Sequence, residues 1–268
     1  MRYEAQLCGD FAGVLSKDAV VEIKEDGVWA YWENGSLYNR DGRRITHRYP
    51  DVVPYLPKDC VLVMELCVFQ WGPPRLSKFE GGIQRRSGLE NPFEIRLRTK
   101  AFPVTAYIFD VLEVHGLSLA NQPLRQRRQA LERLLPAPVR DEAGLIRVLV
   151  AEQHPAEHFP ELRRQVEAEG HEGLVIKDAS APHRAGRSNA WLKWKDFKEG
   201  TFQVQGYETT DRDGFCIHVQ TPAGLQRVVV NDVTLQARIK KGSKEALIGY
   251  LNHTADGSLR QPFVKQVK

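Results

Sequence analysis

Two apolar runs, Val61 to Phe69 and Val104 to Leu112, constrain the fold of this chain more than any other feature. Both are rich in β-branched and aromatic residues and of strand length, which predicts buried β-strands. Apolar strand sequence nonetheless carries carboxylates, Glu65 within the first run and Glu172 at the head of Gly173-Leu174-Val175-Ile176. An acid inside an apolar strand is costly unless it is paired or engaged by a ligand. A structural salt bridge meets that cost as well as a metal or sugar contact does, so the acids alone do not define a site.

The flanking sequence adds elements. From Val20 to Trp32 apolar residues recur as in a strand, and Glu33-Asn34-Gly35-Ser36 supplies turn chemistry before Leu37-Tyr38, which predicts a hairpin. The stretch from Gly72 to Pro92, rich in Gly, Pro and Arg, reads as an exposed loop. Leu124, Leu131, Leu134 and Leu135 have the spacing of an amphipathic helix that Pro136 ends. A second helix is predicted from Pro155 to Glu169, with Leu162 and Val166 on its apolar face and Gly170 as its stop. Leu174 to Ile176 and Trp191 to Trp194 read as further strands. Beyond Lys198-Glu199-Gly200 the texture changes to short β segments, Phe202 to Tyr207, Phe215 to Gln220 and Gln226 to Val230, separated by tight turns. A boundary near Lys198 follows, with a first domain over 1–198 and a small β-barrel over 199–268.

Several classes are excluded. No apolar stretch approaches the ~20 residues that span a bilayer, and the N-terminus lacks the apolar core of a secretory signal, so a cytoplasmic protein with no membrane partner is expected. With 42% hydrophobic and 27% charged residues among 268, disorder is excluded too. Cys8, Cys60, Cys67 and Cys216 form no Cys-x-x-Cys pair and are expected to be free and buried. The net charge of +4 permits a polyanionic partner without requiring one. Two basic clusters stand out: Arg40, Arg43, Arg44 and Arg48, then Arg75, Lys78, Arg85, Arg86 and Arg96. A solvated face would carry the same residues. No Gly-x-x-x-x-Gly-Lys-Ser/Thr string occurs, so a P-loop is absent and any nucleotide is held another way.

The sharpest local string is Glu22-Ile23-Lys24-Glu25-Asp26-Gly27, a lysine at the end of an apolar strand followed by acids and a turn glycine. Alone it reads better as an ordinary hairpin turn. It does not stand alone: Leu37 to Thr46 with Arg40 and Asp41-Gly42, Val63-Met64-Glu65-Leu66, Tyr107 to Leu112 with Phe109-Asp110, Glu172-Gly173-Leu174-Val175-Ile176-Lys177, Trp191-Leu192-Lys193-Trp194-Lys195, and Asp256 to Arg260 with Pro262-Phe263 follow it in order. In these motifs the chain resembles the ATP-dependent DNA ligases of the covalent nucleotidyltransferase superfamily.

The resemblance implies an α+β nucleotidyltransferase (adenylation) domain, with antiparallel sheets and flanking helices, followed by a small OB-fold barrel. It implies sealing of 5′-phosphate/3′-hydroxyl nicks in duplex DNA through a lysyl-AMP and a DNA-adenylate. Lys24 is the implied nucleophile, with Lys193 and Lys195 as catalytic partners. Glu22, Ile23, Arg40, Glu65, Phe109, Glu172, Lys177, Lys193 and Lys195 are the implied nucleotide contacts, Phe109 as the ring stacked on adenine. ATP and Mg2+, or Mn2+, are the implied cofactors, with Glu65, Glu172 and Asp26 toward the metal and Asp110 as a supporting acid. Arg43, Arg44, Arg75, Lys78, Arg85, Arg86 and Arg260 are the implied contacts to nicked DNA. The 23 residues before Lys24 are too few for the nicotinamide-binding domain of NAD-dependent relatives, so a minimal, monomeric ATP enzyme with a hinge at Lys198 to Gly200 is expected. Where relatives carry an Arg two residues after the motif glycine, this chain has Trp29. An RNA ligase, a GTP-dependent capping enzyme and a non-catalytic nucleic-acid-binding relative are the alternatives.

A nucleophilic lysine must be neutral, and at an ordinary pKa of about 10.4 only about one in a few thousand is neutral at pH 7. The expectation is that Lys193 and Lys195 lie beside Lys24 and depress its pKa by like-charge repulsion.

Overall fold

The computed structural model describes residues 3–69, 82–211, 213–254 and 256–268. Arg75 and Lys78, and the first ten residues of the loop expected between Gly72 and Pro92, lie outside them. The chain divides into two units, Met1–Trp194 and Lys195–Lys268.

The first unit runs β1 (Gln6–Asp10), β2 (Ala19–Lys24), β3 (Val28–Glu33), β4 (Ser36–Asn39), β5 (Cys60–Cys67), α1 (Pro92–Ala101), β6 (Thr105–Val114), β7 (Leu117–Ser118), α2 (Leu124–Leu134), β8 (Val139–Arg140), β9 (Ile146–Val150), β10 (His154–Pro155), α3 (Phe159–Glu169), β11 (Gly173–Asp178) and β12 (Gly186–Lys195). These strands make two sheets. One has the order β1-β12-β11-β2-β10 and the other β4-β3-β5-β6-β9-β8, with β7 beside β6.

The expected strand from Val20 to Trp32 is therefore two strands in two sheets. The break falls at Glu25–Gly27, where the chain leaves β2 and crosses to β3. The sheets are also mixed rather than antiparallel, because β1 pairs with β12 and β6 with β9 in parallel. A parallel pair needs a crossover, and α2 lies in the connection from β6 to β9. The β3–β4 hairpin forms as expected, turning on Asn34 and Gly35, both at positive φ.

Alternation along β5 explains how both its faces are used. Leu62, Met64 and Leu66 enter the main core with Ala30, Trp32, Ile108 and Leu131. Val61 and Val63 point the other way, toward Trp29, Tyr31 and Leu112. By the same period Glu65 shares this second face, opposite Trp29 on β3 and Tyr107 on β6. On the first sheet, Ala19, Val21, Leu174 and Ile176 pack beneath Leu162 and Val166 of α3. That helix ends on Gly170 in the left-handed conformation, as its sequence predicts.

Helix α1 escapes the sequence reading, although Asn91 caps it by accepting from the Phe93 and Glu94 amides and Pro92 occupies its first turn. The second unit contains β13 (Lys198–Thr210), β14 (Gly214–Thr221), β15 (Gly224–Val229), α4 (Val233–Lys240), β16 (Glu245–Tyr250) and β17 (Phe263–Val267). Its sheet has the order β15-β14-β13-β16-β17, all neighbours antiparallel. Phe215, Ile217, Val219, Val228, Ile239 and Ile248 form its core. No helix among the described residues is long and apolar enough to cross a membrane.

Candidate active site

Lys24 closes β2 and is paired in register with Gly173, the first residue of β11. That pairing brings the residue before Gly173 to the lysine: the Lys24 ammonium donates to Glu172 Oε2 at 2.5 Å. Burial presses Lys24 toward neutrality, but the Glu172 and Glu65 carboxylates outweigh it, and the pKa is raised above its ordinary value. The expected depression by neighbouring lysines is thus overturned. Lys193 faces Asp10 at 3.2 Å, and Lys195, in the second unit, donates to Gln261 Oε1 at 2.7 Å.

Glu65 reaches the same place from the other sheet. Burial, opposed by Lys24 and reinforced by Glu172, pushes its carboxyl up to about 7; Arg40 draws it down and Asp26 pushes it up, so both lie within its field. The approach of the two sheets depends on Gly27. A Cβ there would meet Leu66 O at 2.5 Å, Glu65 Cγ at 2.6 Å and Cys67 Sγ at 2.9 Å. The motif glycine is required for space, letting the lysine turn lie directly on β5.

Behind Lys24 on the same face of β2 sits a buried polar group. The Glu22 carboxylate accepts from the Lys177 ammonium and from Gln153 Nε2, both at 2.7 Å, so both of its oxygens are held. The Lys177 ammonium also donates to Phe109 O at 3.2 Å and lies 4.9 Å from the Phe109 ring centre and 4.3 Å from that of Trp191. Phe109 and Trp191 meet edge to face at 5.8 Å. Ile23, by contrast, turns into the cluster beneath α3, leaving only its main chain for a ligand.

Three residues that sequence reasoning missed support this arrangement. His171, buried beside Glu172, contacts Glu25 at 3.4 Å and Glu169 at 2.9 Å. Burial opposes its protonation, yet the two carboxylates prevail and raise its pKa. Gln153 orients Glu22 from the loop after β9. Arg127, which reads as a polar residue of an amphipathic helix, is fully buried and grips both oxygens of Asp110 at 2.9 Å. Asp110 therefore pins α2 under β6, and its carboxylate is committed to that bridge. His171 and Glu169 are neighbours in the chain, but the other pairs join residues 17 to 146 apart, and no local signal announces those.

The basic residues divide. Arg43, Arg44 and Arg85 are exposed, and Arg260 is half-buried in the second unit. Arg86 is a correction: it is wholly buried, donates to both oxygens of Asp51 and to the carbonyls of Phe102 and Arg48, and cannot reach a nucleic acid. The cysteines are free, with Cys60, Cys67 and Cys216 buried and Cys8 only half-buried. Among the described residues no three His, Cys, Asp or Glu side chains converge as a metal cluster.

Residues 5–195 match the family model described as ATP dependent DNA ligase domain. The chain is 29% identical over 205 residues to DNA ligase 2 of Thermofilum pendens, covering 71% of this chain and 33% of that protein. It is 34% identical over 188 residues to a probable DNA ligase of Streptomyces coelicolor, covering 66% and 35%. The chain thus spans about a third of the length of these curated relatives. Among solved structures, a Lig E DNA ligase aligns with a TM-score of 0.74 at 20% identity over 99% of each chain. Mycobacterial DNA ligase D, complexed with ATP and MES, aligns with a TM-score of 0.54 at 22% identity over 100% of this chain and 95% of that one. These likenesses establish an α+β fold of the ligase type.

Proposed function

The chain belongs to the ATP-dependent DNA ligase family, and we propose that it seals nicks in duplex DNA as a monomer, by covalent adenylation of Lys24. The observation that carries this reading is the convergence of Lys24, Glu172 and Glu65, drawn from two sheets onto one point.

In the first step the neutral Lys24 amine attacks the α-phosphorus of ATP. The N–P bond forms as the bond to pyrophosphate breaks. AMP then passes to the 5′-phosphate at a nick, and the 3′-hydroxyl attacks that phosphate with release of AMP. The ammonium must first shed its proton, so the nucleotide has to part Lys24 from Glu172 as it enters; positive charge from Lys193 and Lys195 favours the neutral amine at that stage. Phe109 offers a face to the base, and Glu22 an oriented acceptor. The main chain of Ile23, together with Lys177 and Arg40, completes the nucleotide contacts.

Glu65 and Glu172 are hard oxygen donors on either side of Lys24, which suits Mg2+ or Mn2+ held by one or two carboxylates together with substrate phosphates; Asp26 lies nearby. Such an ion supplies charge neutralisation on the triphosphate. Arg43, Arg44, Arg75, Lys78, Arg85 and Arg260 serve the DNA backbone, through contacts that do not read sequence. The division at Trp194 and Lys195 and the five-stranded antiparallel sheet beyond it support an adenylation domain over 1–198 and an OB-fold over 199–268, with Lys198 to Gly200 as the hinge.

The test is incubation with Mg2+ and α-labelled ATP or GTP after stripping with pyrophosphate, followed by denaturation. Label from ATP that is retained on the chain and lost in Lys24→Ala is expected. No label on the wild type overturns the reading, and label from GTP alone points to a capping enzyme. Sealing of a nicked DNA but not a nicked RNA duplex separates the two ligase classes.

A further inference from the structure

Among the described residues, the exposed face around Arg48 is joined in the first unit to the segment that follows Arg85, about forty residues on in the chain, as one surface. Glu90 joins them: it accepts from the Arg48 guanidinium and lies 2.7 Å from His47 Nε2. Beneath it the buried Arg86 donates to the Arg48 carbonyl at 3.0 Å and to the Phe102 carbonyl at 2.8 Å. Glu90 directly precedes Asn91, the cap of α1, so the start of this helix is anchored at Arg48. At its other end Arg85 and Arg98 lie over the Phe102 ring, at 5.2 and 5.9 Å.

Helix α1 crosses this surface and fully buries only Ile95. Phe93 is 66% exposed and Leu97 58% exposed. Four residues apart, they share one face. Arg96 and Lys100, each three residues on from one of them, are exposed beside that face. The acids nearby are Glu94, on the helix itself, and Glu90, already engaged by Arg48 and His47. Single exposed apolar residues need no explanation. A Phe–Leu pair framed by cations along a helix has a specific chemical complement.

We infer that α1 is a docking ridge for the backbone of duplex DNA, an inference that rests on the ligase reading above. Arg85, Arg96 and Lys100 meet phosphates, while Phe93 and Leu97 pack on the deoxyribose between them. The backbone of DNA alternates anionic phosphate with a sugar that lacks the 2′-hydroxyl, so an apolar ridge between cations fits DNA better than RNA. The contact fixes position on the duplex without reading bases.

The test uses the whole chain, a fluorescent nicked duplex and a salt series. Arg96→Gln with Lys100→Gln is expected to weaken binding and to flatten the plot of log affinity against log salt by about two, at about 0.9 per lost phosphate contact. Phe93→Ala with Leu97→Ala is expected to weaken binding at least roughly tenfold, since apolar area leaves the interface, while the salt slope stays as in the wild type. Both pairs face solvent and should still take label from ATP on Lys24 at the wild-type level. DNA affinity unchanged in either pair overturns the inference. So does loss of binding to phosphatidylserine vesicles with DNA affinity intact, which would assign the ridge to a membrane surface. A wild type that takes no label overturns the ligase reading instead.

Discussion

The ammonium of Lys24 and the carboxylate of Glu172, 148 residues apart in the chain, meet at 2.5 Å. This pair holds the lysine in its charged form. Glu172→Gln should therefore lower the Lys24 pKa and expose more neutral amine, about tenfold for each unit of pKa. Acetylation at pH 8, read by mass spectrometry on the Lys24 peptide, should be roughly tenfold faster in the variant. Equal rates would mean that Glu172 does not control the protonation of this lysine.

Glu65 carries the opposite strain. Its carboxyl is pushed up to about 7 from 4.5, chiefly by burial. Between those values the folded state holds more protons than the unfolded one, so stability falls as pH rises through that window. Glu65→Gln removes the penalty. Relative to the wild type it should gain about 2 kcal/mol more at pH 8 than at pH 4, after allowance for partial exposure. Urea unfolding at the two pH values measures this, and an equal gain at both would show that Glu65 ionises normally.

Arg85 and Arg86 are neighbours with opposite fates. Arg86→Ala leaves the Asp51 carboxylate short of its main partner in the interior and should cost about 3–5 kcal/mol. Arg85→Ala, at the surface, should change stability by less than about 0.5 kcal/mol while weakening binding to nicked DNA. Chemical denaturation of the two variants side by side decides the matter, and comparable losses would refute the buried assignment.

Gly27→Ala puts a methyl group 2.5 Å from the Leu66 carbonyl and 2.6 Å from Glu65 Cγ. Backbone on one side and the site's own acid on the other leave it no room. The turn that carries Lys24 must shift, and a displacement of about 1 Å at a reacting group costs on the order of a hundredfold in rate. Single-turnover labelling with ATP should slow by that order, and a rate within threefold of the wild type would show that the turn has slack.

Where the chemistry is local, the sequence reading agrees with the structure. Gly170 at positive φ ends α3, the Asn34–Gly35 turn closes its hairpin, and the leucines of α2 set its buried stripe. Glu65 stands out because an acid in a run such as Val61 to Val68 contradicts its surroundings. What stays hidden depends on distant partners. The change of sheet at Glu25–Gly27 is enforced by contact with β5, and Arg127 looks like a surface residue until Asp110 is in place. In α1, Phe93, Ile95 and Leu97 alternate as in a strand, and only Ile95 goes inside. The expectation for Lys24 had the wrong sign because it weighed only the lysines, whereas the register of β2 with β11 sets an acid against this one.

The pairing of β2 with β11 and of β1 with β12 has a consequence for the protein's birth on the ribosome. Lys24 leaves the exit tunnel with no partner strand in existence. At about 5–20 residues per second, the 148 residues that separate it from Glu172 take about seven to thirty seconds to be made. For most of that interval both edges of β2 are unpaired, β10 reaching it only at His154–Pro155, and the proposed adenylation centre lacks its Glu172 carboxylate until the end. A nascent chain halted before Glu172 holds many of the motif residues but not the carboxylate that meets Lys24, so the arrangement proposed for adenylation is completed late in synthesis.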